Sequence, residues 1–576
     1  MVKQVSQFLA ACLLLSTPVF AQNEFNGAWP YEVPPNGHFN SFASGGMVLG
    51  PYQDLMEPAL AFYNWAEGEY IGQVADTFAF EGNDFVVTLK DGLTWSDGTP
   101  LSAEDVVTTY NVAYLLGGTL AENITAVVAD DELTARFTVT APTLVIERSI
   151  LTYNLRPDSV YHDFGMQAAE LRTEGLAGGD ETFDALLTEL SEFRPETYVS
   201  VGPYILNTDS ISDASVRLDK NEGGYNADVV AFDEITLWNG ETETIIPLVA
   251  DGQLWFTTHG LSPATEQSFI DEGIDILRFP MYTGPGLYMN YTVEPLNRPE
   301  VRQALAHAID RDENGFVSLG DSGVSSEYMS GMSDALAEQN LSEDVLDSLD
   351  EYDYDPELAA QMLTDIGFTK GDDGIWVDDT GKRMAFTLTF PAEYADWSAA
   401  GENLAQQLNN FGFDITARGV QFQQHVQDVY DGNFEMAIRD WGSASPLPYF
   451  SYVVPYQTYN GGGLSAGEQG NGMSFDPNVT YSAGELNVLD TTITLGGVED
   501  AAEQAGLLEQ LAVSYNELLP AIPLWERYGN NTLNRNFLAA PADDDPIYLS
   551  GGNDHFMPYL IMTDGVTPAD GQTAAK

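Results

Sequence analysis

The residues able to carry covalent chemistry are few and poorly placed for it. Gly463-Leu464-Ser465-Ala466-Gly467 matches the G-x-S-x-G of a nucleophile elbow. That device needs an apolar strand before the serine and a helix after it, so that the hydroxyl stands on a strained turn. Here Tyr459-Asn460-Gly461-Gly462 precedes and Glu468-Gln469-Gly470-Asn471-Gly472 follows, so a flexible loop is expected. Gly320-Asp321-Ser322-Gly323 has the order of a serine-protease segment, but no second glycine or proline follows. The histidines (His38, His162, His259, His307, His425, His555) are scattered, with neither H-E-x-x-H nor another metal-ligand spacing. Asp372-Asp373 and Asp378-Asp379 lack the alternating order of a calcium loop and read as turns. Among 88 acidic residues no pair stands out as the two carboxylates of a glycosidase. No catalytic residue, metal site or cofactor is expected.

The elements around these residues are regular. Phe85-Val86-Val87-Thr88-Leu89 reads as a strand, and Lys90-Asp91-Gly92 turns out of it. Trp95-Ser96-Asp97-Gly98-Thr99-Pro100 is a second turn, with Asp-Gly supplying the positive φ that such turns need. Ser102 followed three residues later by Asp105 predicts a capped helix start, and Val106, Val107, Tyr110 and Tyr114 form its apolar face. Two strands joined at Asp130-Asp131 are expected within 122–148, and an acidic helical insertion over 156–196. Asn297, Pro299 and Glu300 predict another helix start, with Val301, Leu305, Ala308 and Ile309 inward. Asp355-Pro356 opens a helix carrying Leu358, Met362, Leu363 and Ile366 that stops at Gly367. A further helix runs from Trp397 to Phe411 and ends at Gly412.

The order of these segments resembles the family 5 solute-binding proteins of ABC importers. Phe85–Asn111 is similar to that family's strand running into "W/F-x-D-G-x-P-(L/F)-x-A-x-D-V", and Pro299–Arg311 to its "V-R-x-A-(L/I)-x-x-A-I-D-R". Leu55–Tyr63 resembles its "Y-E-P-L" strand, Val201–Leu206 its "G-x-G-P-Y/F" crossover, Lys220–Asn226 its "N-x-x-Y-W" turn, Asp355–Phe368 its "Y-D-P-E" helix and Ala521–Trp525 its "x-I-P-L" return strand. The resemblance implies an α/β, two-lobe periplasmic-binding-protein fold (type II-like) with an extra inserted subdomain and two hinge strands. Lobe I is expected at 22–53, 196–281 and 526–576, the insert at 54–195, and lobe II at 282–525. The hinges would lie near Met281-Tyr282 and Pro523-Leu524-Trp525.

What the resemblance implies for ligands is mixed. Peptide binders of the family place an aspartate shortly after the aromatic that ends the Phe434–Trp441 strand, where it pairs with the peptide ammonium. Trp441-Gly442-Ser443-Ala444-Ser445-Pro446 has no acid. Pro391–Trp397 instead resembles the "(aromatic)-T-D-W/F" segment of the family's oligosaccharide binders. Pyranose rings offer flat C–H faces to aromatic rings, while their hydroxyls need polar partners. Trp255, Phe256, Tyr394, Trp397 and Trp441 are therefore the stacking candidates, and Asn40 and Asp440 the hydrogen-bonding ones. The expected ligand is a neutral oligosaccharide of the cello-, gluco- or chito- type, delivered by a monomer to ABC permease subunits. An oligopeptide is the alternative, and a secreted polysaccharide hydrolase the reading from another class.

Charge and address complete the picture. The chain of 576 residues carries 88 acidic and 21 basic residues, a formal net charge of −67. Phosphate would be repelled along its whole length, which disfavours nucleic acid as a partner. Mutual repulsion of this size points to a protein that works in brine, where charges are screened. Met1–Ala21 reads as a secretory signal: Lys3, an apolar run from Phe8 to Phe20, then cleavage after Ala21. Leu9-Ala10-Ala11-Cys12 matches a lipobox, but the apolar run continues past it. Removal of the signal takes away the single cysteine, leaving no disulfide.

Overall fold

The computed structural model describes residues 23–461, 471–552 and 555–569; the signal segment, Cys12 and the Gly463–Gly467 motif lie outside them. Three sheets organise the chain. A seven-stranded sheet has Glu24–Ala28 near its centre, parallel to Glu234–Trp238 on one side and to Phe256 on the other. Tyr204–Asn207, Ser215–Lys220, Asp275–Leu277 and Asn531–Leu533 complete it. A five-stranded sheet runs in the order Asp414–Val420, Ala385–Pro391, Met436–Gly442, Thr283–Met289, Ala521–Pro523. The third is four-stranded and antiparallel, built from Ala75–Glu81, Asp84–Leu89, Thr134–Val139 and Ile124–Ala129.

Local signals shape the elements. The helix Ala103–Leu115 starts at Ser102, whose backbone N–H donates to Asp105 Oδ2 at 2.8 Å. Burial pushes the Asp105 carboxyl up to about 6, although the Asp158 and Ser102 backbone N–H groups also bond it. Val106 and Tyr110 of this helix are buried, and the Tyr110 ring meets Phe137 edge-on at 4.7 Å. Phe137 and Phe85 belong to the same hydrophobic cluster as Phe25 and Phe232, so the four-stranded sheet shares its interior with the seven-stranded one. Each such ring removed from water contributes about 1.5–3 kcal/mol. Asp355 Oδ1 accepts from the N–H groups of Glu357 and Leu358 at 3.1 and 2.9 Å, capping Pro356–Asp365. The helix Ala395–Phe411 ends at Gly412 with φ 112°, a left-handed turn that glycine adopts without strain.

Some expectations fail where tertiary context decides. Leu55–Tyr63 is not one strand: a 3-10 turn covers Gly50–Leu55 and the strand is only Ala61–Asn64. Pro58 has no N–H to give a ladder, and beside it Ala59 makes an isolated antiparallel bridge to Asn154. Arg298, not Asn297, is the N-cap of Pro299–Ala308. Leu358 is exposed rather than inward. No helix among the described residues is long and apolar enough to cross a membrane.

Candidate functional site

The chain crosses between the two larger sheets twice, side by side. Asp275–Leu277 leads through Met281 and Tyr282 into Thr283–Met289, and Ala521–Pro523 returns through Trp525 and Glu526–Arg527 to Asn531–Leu533. The Met281 N–H donates to the Arg527 carbonyl at 3.0 Å and the Leu524 N–H to the Pro285 carbonyl at 3.1 Å. A Cβ on Gly284 would stand 2.0 Å from the Trp525 carbonyl oxygen, so only glycine allows this approach. The buried Trp525 indole N–H donates to Asn314 Oδ1 at 3.1 Å. These contacts make the two segments a paired hinge.

Beside the hinge lies a cavity of about 580 Å³, the size of a small-molecule site. Met281, Thr283 and Arg527 form its floor. Trp29, Glu241, Phe256 and His259 line one wall, and Tyr394, Asp396 and Ala444 the wall opposite. Trp29 follows the central strand Glu24–Ala28, and Glu241 is the N-cap of the helix Thr242–Ala250. Ligands of open α/β sheets gather at such strand ends. Tyr394 is the N-cap of Ala395–Phe411 and its ring packs against Phe422 at 4.8 Å and edge-on against Trp397 at 5.8 Å. The lobes touch here: a Cβ on Gly260 would lie 3.2 Å from the Asp396 carboxylate.

Electrostatics divide the lining residues into satisfied and unsatisfied groups. Asp396 Oδ2 accepts from Arg527 Nη1 at 2.6 Å, and Arg527 also donates to the Thr258 carbonyl. His555 Nδ1 lies 3.2 Å from Asp54 Oδ2. His259 Nε2 bonds the Gly240 carbonyl at 2.9 Å. Burial, with the nearby Arg527 charge, holds His259 below the usual histidine range, hence neutral. Its Nε2 then carries the proton and Nδ1 is an acceptor, with no partner among the described residues. Glu241 is half-buried, and burial, then the Glu393 and Asp396 charges, push its carboxyl up. Tyr394 is raised to about 12 by burial and by Glu241.

Of the residues expected to bind ligand, Tyr394 lines the cavity; Phe256 borders it but is 1% exposed, its ring set edge-on to Phe556 at 6.2 Å. Trp397 stands behind Tyr394 with the Arg439 guanidinium 5.7 Å from its ring. The other four require correction. Trp441 is fully buried, and its indole N–H donates to the Trp525 carbonyl at 3.1 Å, so it anchors the hinge and offers a solute no ring face. Trp255 is fully buried and stacks on Phe537 at 5.0 Å. Asn40 is sealed inside, donating to the Leu190 carbonyl at 2.7 Å and accepting from the Phe42 N–H. Asp440 is engaged by Tyr459 Oη at 2.5 Å and Arg439 Nη2 at 3.1 Å, and is not among the cavity-lining residues. Trp29, Glu241, His259, Asp396 and Arg527 were not anticipated. Asp396 sat inside the quoted Pro391–Trp397 segment, but the others carried no local signal.

The sequence matches the family described as bacterial extracellular solute-binding proteins, family 5 Middle, across residues 69–463. The chain belongs to this family. Its members are binding proteins, not enzymes, so the binding protein described here is the extracytoplasmic solute-binding component of an ABC transporter, with a small-molecule ligand and permease partners. It is 23% identical to the dipeptide-binding protein of Lactococcus lactis subsp. cremoris, over 67% of this chain and 71% of that one. It is also 23% identical to the glutathione-binding protein GsiB of Escherichia coli O157:H7, over 61% and 60%. Among solved structures, the periplasmic oligopeptide-binding protein of Thermotoga maritima superposes with a TM-score of 0.75 at 19% identity, covering 95% of this chain and 99% of that one. Its mannohexaose-bound form gives 0.72 at 19% identity, over 95% and 99%. The oligopeptide-binding protein AppA of Bacillus subtilis with a nonapeptide gives 0.70 at 17% identity, over 94% and 98%. The two-lobe fold is shared with these solved structures.

Proposed function

We propose that the interlobe cavity captures an oligosaccharide of the cello-, gluco- or chito- type for delivery to an ABC permease. The observation that carries this reading is the Tyr394 ring, braced by Trp397 and Phe422, in a cavity whose other wall holds Trp29 and Glu241. Ring faces suit the C–H faces of pyranoses, and a carboxylate oxygen accepts from their hydroxyls. The relative with mannohexaose bound supports the same class. An oligopeptide is the second reading. Glu241 favours it, because a carboxylate without a cationic neighbour suits a peptide ammonium and stands in for the acid that Trp441–Pro446 lacks. The names of the dipeptide- and oligopeptide-binding relatives agree with it.

Trp29 lines the cavity, so intrinsic fluorescence should report binding. Titration with cellotetraose, chitotetraose and mannohexaose is expected to saturate, while tri- and tetra-alanine do not. Tyr394→Ala should weaken the oligosaccharide by about tenfold, the loss of one stacked ring. Saturation by the peptides alone would replace the first reading with the second.

The protein is further proposed to be an acidic, salt-adapted monomer whose signal is cleaved after Ala21. Its cations are shared among several acids: Arg136 holds Glu81, Asp84 and Asp130, Arg217 holds Asp219 and Glu234, and Arg383 holds Asp373 and Asp414. Such exposed pairs contribute little individually. They leave most of the acidic excess unneutralised, and salt must screen it. The Debye length falls from about 10 Å at 0.1 M to about 3 Å at 1 M. The melting temperature is therefore expected to rise over that range. A flat or falling profile would remove the salt-adapted reading.

A further inference from the structure

We propose that the protein has a second carbohydrate site, a surface groove outside the interlobe cavity that takes a pyranose unit of a neutral glycan. The groove, of about 440 Å³, lies between the helices Pro356–Asp365 and Ala395–Phe411 and shares no lining residue with the cavity. One wall is a run of side-chain amides. Asn403, Gln406, Gln407 and Asn410 fall at i, i+3, i+4 and i+7, so they share one face of Ala395–Phe411. On a chain with 88 acidic residues, a helix face of four amides and no acid is a local exception. The facing wall begins at Tyr354, beside the Asp355 cap of Pro356–Asp365. The chain has 28 tyrosines, 29 phenylalanines and 9 tryptophans, yet among the described residues the exposed rings are Tyr354, at 55%, and Phe316. Tyr354 makes no hydrogen bond or ring contact among the described residues, so its face is open to a ligand.

The fold explains two of the amides and leaves two unexplained. The Asp310 N–H donates to Gln407 Oε1 at 2.7 Å, and Gln407 Nε2 donates to the Asp310 carbonyl at 3.0 Å and to Asn403 Oδ1 at 2.7 Å. Asn403 Oδ1 also accepts from Asn314 Nδ2 at 2.9 Å, so both side chains are fixed. Gln406 and Asn410 are exposed, and among the described residues no hydrogen bond reaches their side chains. Each offers a carbonyl oxygen and two N–H donors. A sugar hydroxyl likewise donates and accepts, so it pairs with an amide and leaves no charge unmatched, while a C–H face of the ring suits the open tyrosine. The charges at the groove do not select an ion. Lys370 Nζ donates to the Phe411 carbonyl at 3.0 Å and lies 5.0 Å from the Trp376 ring. Glu313 Oε1 accepts from Asn403 Nδ2 at 3.4 Å, and Glu313 and Glu357 are exposed acids of the kind that salt screens across this surface. Gln406 is twelve residues beyond Tyr394, about 18 Å along one helix, so groove and cleft are separate sites on a rigid rod.

The test is ligand-detected saturation-transfer NMR on the full chain at high salt, with cellotetraose and chitotetraose, beside a tryptophan-fluorescence titration that reports the cleft through Trp29. One exposed ring and a few exposed hydrogen bonds should give a weak phase with a Kd of about 1 mM. Tyr354→Ala should weaken that phase about tenfold and leave the fluorescence titration and the melting temperature unchanged. Tyr354→Phe should keep the phase, and the double variant Gln406→Ala, Asn410→Ala should weaken it. Phe316→Ala, which removes the other exposed ring, should have no effect. Tyr394→Ala should act on the cleft alone. A weak phase that depends on Tyr354 supports the groove, and it does so even where the cleft takes only peptides. Sugar binding in the cleft with no such phase, or a weak phase that survives both Tyr354→Ala and the double amide variant, overturns the groove while the cleft reading stands. Absence of sugar binding by either readout overturns both.

Discussion

Replacing Arg302 with methionine is expected to destabilise the protein by about 3–4 kcal/mol, read as a lower urea midpoint. Arg302 is 1% exposed on the helix Pro299–Ala308. Its guanidinium donates to three backbone carbonyls: Nε and Nη2 to Leu518 at 2.9 and 2.6 Å, Nε also to Leu519 at 3.0 Å, and Nη1 to Leu296 at 3.1 Å. Leu518 is the last residue of the helix Ala501–Leu518, and Leu519 is its C-cap in the left-handed region at φ 44°. The arginine therefore satisfies carbonyls that a helix end leaves without intrahelical partners, and it places positive charge at the negative end of the dipole. The Tyr291 ring covers it at 4.6 Å. Burial lowers its pKa, yet a guanidinium stays charged at neutral pH. Methionine keeps the apolar stem and removes every donor, so the buried carbonyls lose their partners at about 1–3 kcal/mol each, partly recovered by relaxation. Arg302→Lys should recover a minority of the loss, because one ammonium does not reproduce the fork. A loss below about 1 kcal/mol for the methionine variant would show that water replaces the guanidinium.

Arg302 also shows what a sequence reveals and what it hides. The segment around it was recognisable as a motif, but nothing local said that its arginine closes a helix more than two hundred residues away. Features set by neighbouring residues were legible: the Ser102–Asp105 helix start, the Asp355 cap, the Gly412 stop. Their physics spans only a few residues. The cleft is another matter. Asp396 and Arg527 are 131 residues apart and meet only because the hinge brings both lobes to one place. Trp441 misled because strand alternation separates inside from outside only when one face of a sheet meets water. In its strand, Met436–Gly442, both faces are covered, so a tryptophan at a strand end is as readily a hinge anchor as a ring platform. Tyr394 differs in standing at a helix N-cap, where the chain leaves the sheet and turns toward the opposite lobe.

The same hinge holds a second group whose behaviour has a definite sign. Glu526 is 3% exposed, in the strand Glu526–Arg527 that pairs with Gly323–Val324. Its carboxyl accepts from the backbone N–H groups of Tyr282 and Asp334, while Oε1 has no partner among the described residues. Burial, and then the Asp334 charge, raise its pKa from 4.5 to about 8. A carboxyl shifted upward holds its proton in the folded protein after the unfolded chain has released it. Stability therefore falls as pH rises through that window, by a total of about 5 kcal/mol at 1.36 kcal/mol per pH unit. Below pH 4.5 the two states are protonated alike and the group contributes no difference. The other carboxylates also titrate, so the wild-type profile alone does not isolate Glu526; the difference from Glu526→Gln does. Glutamine keeps the shape and stays neutral. The variant should match wild type near pH 5, gain steadily from there to pH 8, and exceed it by about 5 kcal/mol at pH 9. A constant difference across the range would mean that Glu526 titrates normally and that its isolation between the two crossovers has no electrostatic cost. A gain that grows from about pH 5 to pH 8 and then levels off would instead locate in the hinge a carboxyl that the fold tolerates only while protonated, where Tyr282 and Glu526 tie one crossover to the other.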